Sequence, residues 1–398
     1  MGRTHIAFIT LPHSPHVFPT LPIVSELLER GYRVSYATSE RFFSAVNESG
    51  AEVILCPDFQ VNHEDVVLEI ENEQPAGPFE AFSSRMLKSV AAAFERDKPD
   101  LIVYDFMSFT GRILANRWSI PAIQTSPFYA FDNNADFESQ IEHVGFRDQL
   151  VAHAQVAAEF LGRYGVVSRN YRMDKEKMNI YLFPGALQPN RAVFGKDCLF
   201  AGKCPAERSP IGYWQDNSDG RPIALVAMST LLSVISTNAR IPAHFELCMH
   251  ALSELGWHVV LSIGERCDAS VLLPLPAHCE MISHTSYLDV LPRSKLLFFM
   301  SGIISTAEAA YHGVPMIAIT DGVAEYEWQA DHLVNLGIGA HIRKADATSE
   351  SLRKAAMHMS QDSEILRRVK EIESLVKLDP GAEETANCIE NYLASRLS

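Results

Sequence analysis

The sequence predicts an α/β protein built from two doubly wound parallel-sheet domains facing a central cleft. Three observations carry that prediction. The chain has 398 residues, more than a single hydrophobic core ordinarily supports. Apolar runs of strand length alternate with runs of helical period, first over residues 5–125 and again from residue 223 onward. Between the two series the composition shifts to GKCPAERSPIGYWQDNSDGRP, rich in Gly, Pro, Ser, Asn and Asp, which reads as a linker. The expected division is therefore a first domain over 1–205, a linker over 206–221, a second domain over 222–382 and a terminal helix over 383–398 that crosses back to the first domain.

Strand His5–Thr10 leads through a loop to the apolar-periodic helix Leu21–Arg30, which Gly31 ends before strand Arg33–Ala37. Helix Glu40–Asn47 and Gly50 precede strand Glu52–Cys56. The same unit recurs as strand Leu101–Tyr104, helix Thr110–Trp118 and strand Ala122–Thr125. Short Gly-containing links between such elements indicate right-handed βαβ units. Residues 129–190 lack this regularity and read as helical excursions that form a wall or lid. The second domain continues with strand Ile223–Met228, helix Pro242–Leu255, strands Trp257–Ile263 and Leu296–Met300, helix Ile304–Tyr311 and strand Met316–Ile319. Helices over 327–336 and 349–359 follow.

Composition narrows the function classes. A formal net charge of −15 argues against a nucleic-acid or anionic-membrane partner. The 7 Cys have no metal-ligand spacing, so no metal site is expected, and an odd, unpatterned count suits reduced thiols. No segment reaches the roughly 18 apolar residues of a membrane span. The opening MGRTHIAFITLP holds an apolar run too short for a secretory signal, so a cytoplasmic location is expected.

Ligands of doubly wound sheets bind beyond the carboxyl ends of the strands, which makes residues just past a strand end the first candidates. His13 and His16 follow the first strand, in LPHSPHVFPTLP, and Asp105 follows the apolar run LIVY. A His that abstracts a proton near neutral pH gains from a carboxylate that holds one ring N–H. Two polar residues at strand ends also serve as caps or turn formers, and spacing leaves both readings open. In LLFFMSGIISTAEAAYHGVP, residues 296–315, a strand breaks at Ser301-Gly302 and becomes a helix. Such a turn presents backbone N–H groups to a phosphate, yet it carries no Lys, Arg or His.

Several stretches, in order, resemble one family. PHVFPTLPIVSELLERGYRVSYAT is similar to the GH-V-x-P-[ST]-L opening of bacterial family 1 glycosyltransferases, the macrolide and flavonoid group. PDLIVYDFMSFTGRILANRWSIPAIQTSP resembles that family's catalytic-Asp strand and following helix. NIYLFPGALQP through LFAGK resembles the end of its first domain. STAEAAYHGVPMIAIT and EYEWQADHLVNLGIGAHI resemble its donor-binding signature.

The resemblance implies a GT-B fold, two Rossmann-like domains around a cleft. It implies inverting transfer of a hexose from a UDP- or TDP-linked donor to a hydroxyl of a small apolar natural product, as in antibiotic biosynthesis, with no further cofactor. In that scheme His16 deprotonates the acceptor and Asp105 orients His16. Thr230, His284, Ser301, Gly302, Ser305, Glu308 and Glu325 fall at donor positions. Glu308 matches the ribose-binding carboxylate, and Glu325 matches the acid of a sugar-binding acid–Gln pair. His13, Phe18, Phe128, Tyr129 and Phe131 are expected to line the acceptor side, with ordinary packing the competing reading for the aromatics. The expected partners are the acceptor and the nucleotide-sugar, with a homodimer as one oligomeric possibility.

The departures from the family pattern lie at the donor site. The turn T-H-G-G-x-N-S-x-x-E reads Phe299-Met300-Ser301-Gly302-Ile303-Ile304-Ser305-Thr306-Ala307-Glu308, with Met300 in place of His and Ile304 in place of a polar residue. The base-binding W-x-P-Q becomes His284-Thr285-Ser286-Tyr287, the acid–Gln pair becomes Glu325-Tyr326, and the Gly before the catalytic His becomes Pro15. A hydrogen bond to a charged group contributes about 1.5–3 kcal/mol, so losing one or two weakens a donor by roughly 10- to 10⁴-fold. Two other readings stand beside the transferase. One is a repurposed GT-B protein such as an auxiliary subunit. The other is an acid/base enzyme that uses His16 and Asp105 without a nucleotide-sugar.

Overall fold

The computed structural model describes residues 3–59, 78–135, 137–142, 147–207, 214–227, 243–263, 269–283 and 287–397. The chain forms two compact units, one of Met1–Arg208 with Asp379–Ser398 and one of Ser209–Leu378.

In the first unit the strands are β1 (His5–Ile9), β2 (Arg33–Thr38), β3 (Glu52–Leu55), β4 (Leu101–Asp105), β5 (Ala122–Ser126), β6 (Asn179–Tyr181) and β7 (Cys198–Phe200). They make one sheet in the order β3-β2-β1-β4-β5-β6-β7. Every neighbouring pair is parallel. Besides one-turn helices, its helices include α1 (Leu21–Glu29), α2 (Phe43–Glu48), α3 (Pro78–Phe94), α4 (Phe109–Trp118) and α5 (Arg147–Arg163). Side chains alternate across a strand, and both faces of this sheet are covered, which is why β1 and β4 read as unbroken apolar runs. Ile6 and Phe8 join Val24 and Leu27 of α1 in one core cluster. Ala7 and Ile9 join Met86 of α3, Ile113 of α4 and Phe160 of α5 in the other.

In the second unit the strands are β8 (Ile223–Ala227), β9 (His258–Ile263), β10 (Cys279–Ser283), β11 (Leu296–Phe299), β12 (Met316–Thr320) and β13 (Gly339–Arg343). They pair in the order β10-β9-β8-β11-β12-β13, again all parallel. Its longer helices among the described residues are α6 (Ala243–Ser253), α7 (Ile303–His312), α8 (Ala324–Asn335), α9 (Ser349–Gln361) and α10 (Ser363–Val376). The last helix, α11 (Ala382–Leu397), belongs to the first unit, where Ala386, Ile389 and Leu393 enter the α1 face of the core. Arg30 at the end of α1 donates to Asn387 and Glu390, both at 2.6 Å. Trp214, in the segment expected as linker, is buried in the second unit with its indole N–H on Glu280 at 2.8 Å. Within 129–190, expected as helical excursions, α5 is accompanied by the sheet strand β6.

Both sheets are doubly wound, and each reverses direction at one place: between β1 and β4 in the first, between β8 and β11 in the second. A ligand crevice forms beyond the strand ends at such a switch point. Gly111 of α4 lets that helix approach the first switch point. A Cβ there would overlap the Cβ of Tyr104 and stand 3.4 Å from the Cβ of Ile9. Gly111→Ala is therefore expected to destabilise the first unit by about 1–3 kcal/mol, the usual cost of overpacking. The midpoint of chemical denaturation reads this, and an unchanged midpoint would refute the close-packing account.

Candidate functional site

One candidate site grows from the β1–β4 switch of the first unit. Ile9 of β1 stands opposite Tyr104 of β4 in parallel register, so the chain leaves β1 beside the end of β4. It passes His13 in extended conformation and enters the one-turn helix Ser14–Val17, with Pro15 in its first turn. That turn brings His16 onto Asp105, the last residue of β4. His16 Nδ1 lies 2.7 Å from Asp105 Oδ2, and both side chains are buried. Asp105 Oδ1 accepts the Met107 N–H at 2.9 Å, so both carboxylate oxygens are engaged. An ionised carboxylate only accepts hydrogen bonds, which assigns the proton to Nδ1 and the lone pair to Nε2. This is the tautomer a general base requires.

Rings surround this imidazole. Phe106 lies nearly parallel to it at 6.5 Å between centroids, Phe128 is tilted at 5.8 Å and His13 at 6.0 Å. His13 is held neutral: burial, then His16 and Arg41, push its pKa down to about 3. Of the two imidazoles, His16 is the one with a carboxylate partner. Phe18 packs edge-on against Phe42 at 5.7 Å, Tyr129 against Phe183 at 4.6 Å, and Phe131 against the cluster of Ile141 and Leu150. Phe106 was missed by sequence reasoning, although its place directly after a strand-end carboxylate was a usable signal.

Another candidate site, in the second unit, follows β11 at the β8–β11 switch. Ser301, fully buried, takes a left-handed backbone conformation with φ of 52°, and Gly302 caps α7 with φ −64° and ψ 135°. The first N–H groups of a helix have no partner within it, and the dipole places partial positive charge there. Ser305 lies in that first turn and Glu308, buried, on the next. Ser301 Oγ donates to the backbone carbonyl of Tyr326 at 2.6 Å, which ties the turn to α8, the helix of Glu325. Thr230 and His284 lie outside the described residues.

Of the substituted donor positions, Met300 lies in apolar surroundings. Met300 is 1% exposed and belongs to the second unit's core with Phe298, Val226 and Ile319. Tyr287 is fully buried, while Ile304 is half-buried. No Lys or Arg stands between Lys295 and Arg343 in the sequence, so this stretch offers a phosphate no ammonium or guanidinium group. Among the described residues no group of three or more His, Cys, Asp or Glu is placed to hold a metal ion. Among the same residues no helix is long and apolar enough to cross a membrane.

No family model matches the chain. It is similar along its whole length to the NDP-glycosyltransferase YjiC of Bacillus licheniformis, 30% identical with 99% of each chain covered. It is 28% identical to the oleandomycin glycosyltransferase of Streptomyces antibioticus, over 98% of this chain and 91% of that protein. Among solved structures it resembles CalG4, the calicheamicin glycosyltransferase, with a TM-score of 0.79, 26% identity and 99% of both chains covered.

Proposed function

Because the chain belongs to the nucleotide-sugar glycosyltransferases of GT-B fold, we propose that it transfers a sugar, with inversion, to a hydroxyl of a small apolar natural product. The observation that carries the chemistry is the His16–Asp105 pair, with a lone pair left on Nε2. His16 Nε2 takes the acceptor's hydroxyl proton as the oxygen attacks the anomeric carbon. The bond from that carbon to the diphosphate breaks on the opposite face, and the electron pair leaves with the diphosphate. Asp105 stabilises the imidazolium so formed. Phe106 and Phe128 provide apolar contact for the acceptor beside the base.

The donor is a UDP- or TDP-linked sugar. Its diphosphate is held by the N-terminus of α7 around Ser301, Gly302 and Ser305, where developing negative charge meets N–H donors and the helix dipole. Glu308 takes the ribose and Glu325 the sugar. The names of relatives that act on oleandomycin and calicheamicin support an antibiotic-like acceptor.

Calorimetry with UDP, TDP and their sugar conjugates, followed by transfer assays on a polyketide panel, tests this reading. Micromolar nucleotide binding and an inverted glycoside are expected. Failure of every nucleotide to bind, with apolar acceptors still raising the melting temperature, would sink it.

A further inference from the structure

We infer that Gln329 supplies the amide missing beside Glu325 and holds the Glu325 carboxylate for a hydroxyl of the donor sugar. The inference rests on the reading of Glu325 as the sugar contact. The residue after Glu325 is Tyr326, whose ring packs against the core of the second unit. Four residues on from Glu325, and so on the same face of α8, stands Gln329. Its Nε2 donates to Glu325 Oε1 at 3.2 Å. The carboxylate cannot donate, which fixes the amide's orientation.

Two further observations make this more than a surface pair. Gln329 is 4% exposed, and its Oε1 is buried with no hydrogen-bond partner. A buried amide oxygen left unpaired is costly, and such groups call for a specific explanation. Here the explanation is that the amide is held for what its N–H does at Glu325. The backbone beneath is pinned as well, because Ser301 Oγ binds the Tyr326 carbonyl from a left-handed conformation that a Ser rarely adopts. Glu325 is thus fixed through its neighbour's carbonyl by the phosphate turn, and through its carboxylate by Gln329. The family's acid–amide pair is rebuilt across one helical turn, with Gln329 as a positioning residue.

Gln329→Met keeps the volume and removes the donor. With the preferred nucleotide-sugar, KM is expected to rise about tenfold, the worth of one charge-assisted hydrogen bond. The Kd for the bare nucleoside diphosphate should stay at the wild-type value, a split that loss of packing would not produce. Should Gln329→Met fail to fold, Gln329→Leu asks the same question, since its side chain has no donor for Glu325. An unchanged KM in a folded Gln329 variant, or a diphosphate Kd that rises in step with KM, overturns the inference. Glu325→Ala separates the two levels. If it raises KM and Gln329→Met does not, only the role of Gln329 fails; if Glu325→Ala leaves KM unchanged, the assignment of Glu325 fails and the inference falls with it.

Discussion

His16→Ala is expected to lower kcat by about 10²- to 10⁴-fold, the contribution of a positioned general base, with no change in affinity for the nucleoside diphosphate. The separation follows from placement: the base follows β1 in the first unit, and the diphosphate cradle follows β11 in the second. Asp105→Asn gives a sharper version. Asp105 Oδ1 accepts the Met107 N–H and Oδ2 faces His16 Nδ1. In the Asn variant the amide oxygen must stay on the Met107 N–H, since turning the NH₂ there would set two donors against each other. The NH₂ then donates to His16 Nδ1 and forces the ring proton onto Nε2, the atom that should accept the acceptor's proton. The fold keeps its hydrogen bonds, yet the base is in the wrong tautomer. Asp105→Asn should therefore approach His16→Ala in kcat while unfolding at nearly the wild-type denaturant midpoint. Near-wild-type turnover by either variant would remove the pair from the mechanism.

The two residues were legible as strand-end candidates, because strands buried on both faces are the strongest short signals a sequence carries, while spacing left capping open and the family resemblance supplied the pairing. Reading strands from the sequence found β1, β2, β3, β4, β5, β8, β9, β11 and β12. It did not find β10 and β13, the outer strands of the second sheet. Cys279–Ser283 contains Glu280, and Gly339–Arg343 contains His341 and Arg343, so neither shows a continuous apolar run. β6 and β7, of 3 residues each, are too short to display any period. The helix Ser363–Val376 was also passed over, although Asp362 caps it through the N–H groups of Glu364 and Ile365. At the donor site, residue types were readable and directions were not. Met300 stands out as a lost polar contact in a sequence, but its side chain lies in the core, just before the left-handed turn at Ser301. The Glu325–Gln329 contact likewise needs the phase of α8, which a motif read residue by residue does not supply.

Ile303→Pro is expected to weaken binding of a nucleoside diphosphate by about 10- to 100-fold, the loss of one hydrogen bond to a charged group. It tests the proposal that backbone N–H groups hold the phosphates where the sequence offers no Lys or Arg. Ile303 is the first residue of α7, the position at which Pro is best tolerated, because its N–H lies outside the helical ladder and its fixed φ suits the helix. The residue before a Pro must be extended, and Gly302 already is, at φ −64° and ψ 135°. The substitution thus deletes one donor from the cradle and leaves the helix standing. Ile303 is buried, so the change also removes apolar packing. Ile303→Ala controls for that, since it truncates the same side chain and keeps the N–H. The decisive comparison is between these two variants, titrated with UDP or TDP and with the corresponding nucleoside. A Pro-specific loss for the diphosphate, absent with the nucleoside, places the phosphates at this helix start. Equal affinities in the Pro and Ala variants would move the diphosphate elsewhere and leave the absence of Lys and Arg from residues 296–342 unexplained.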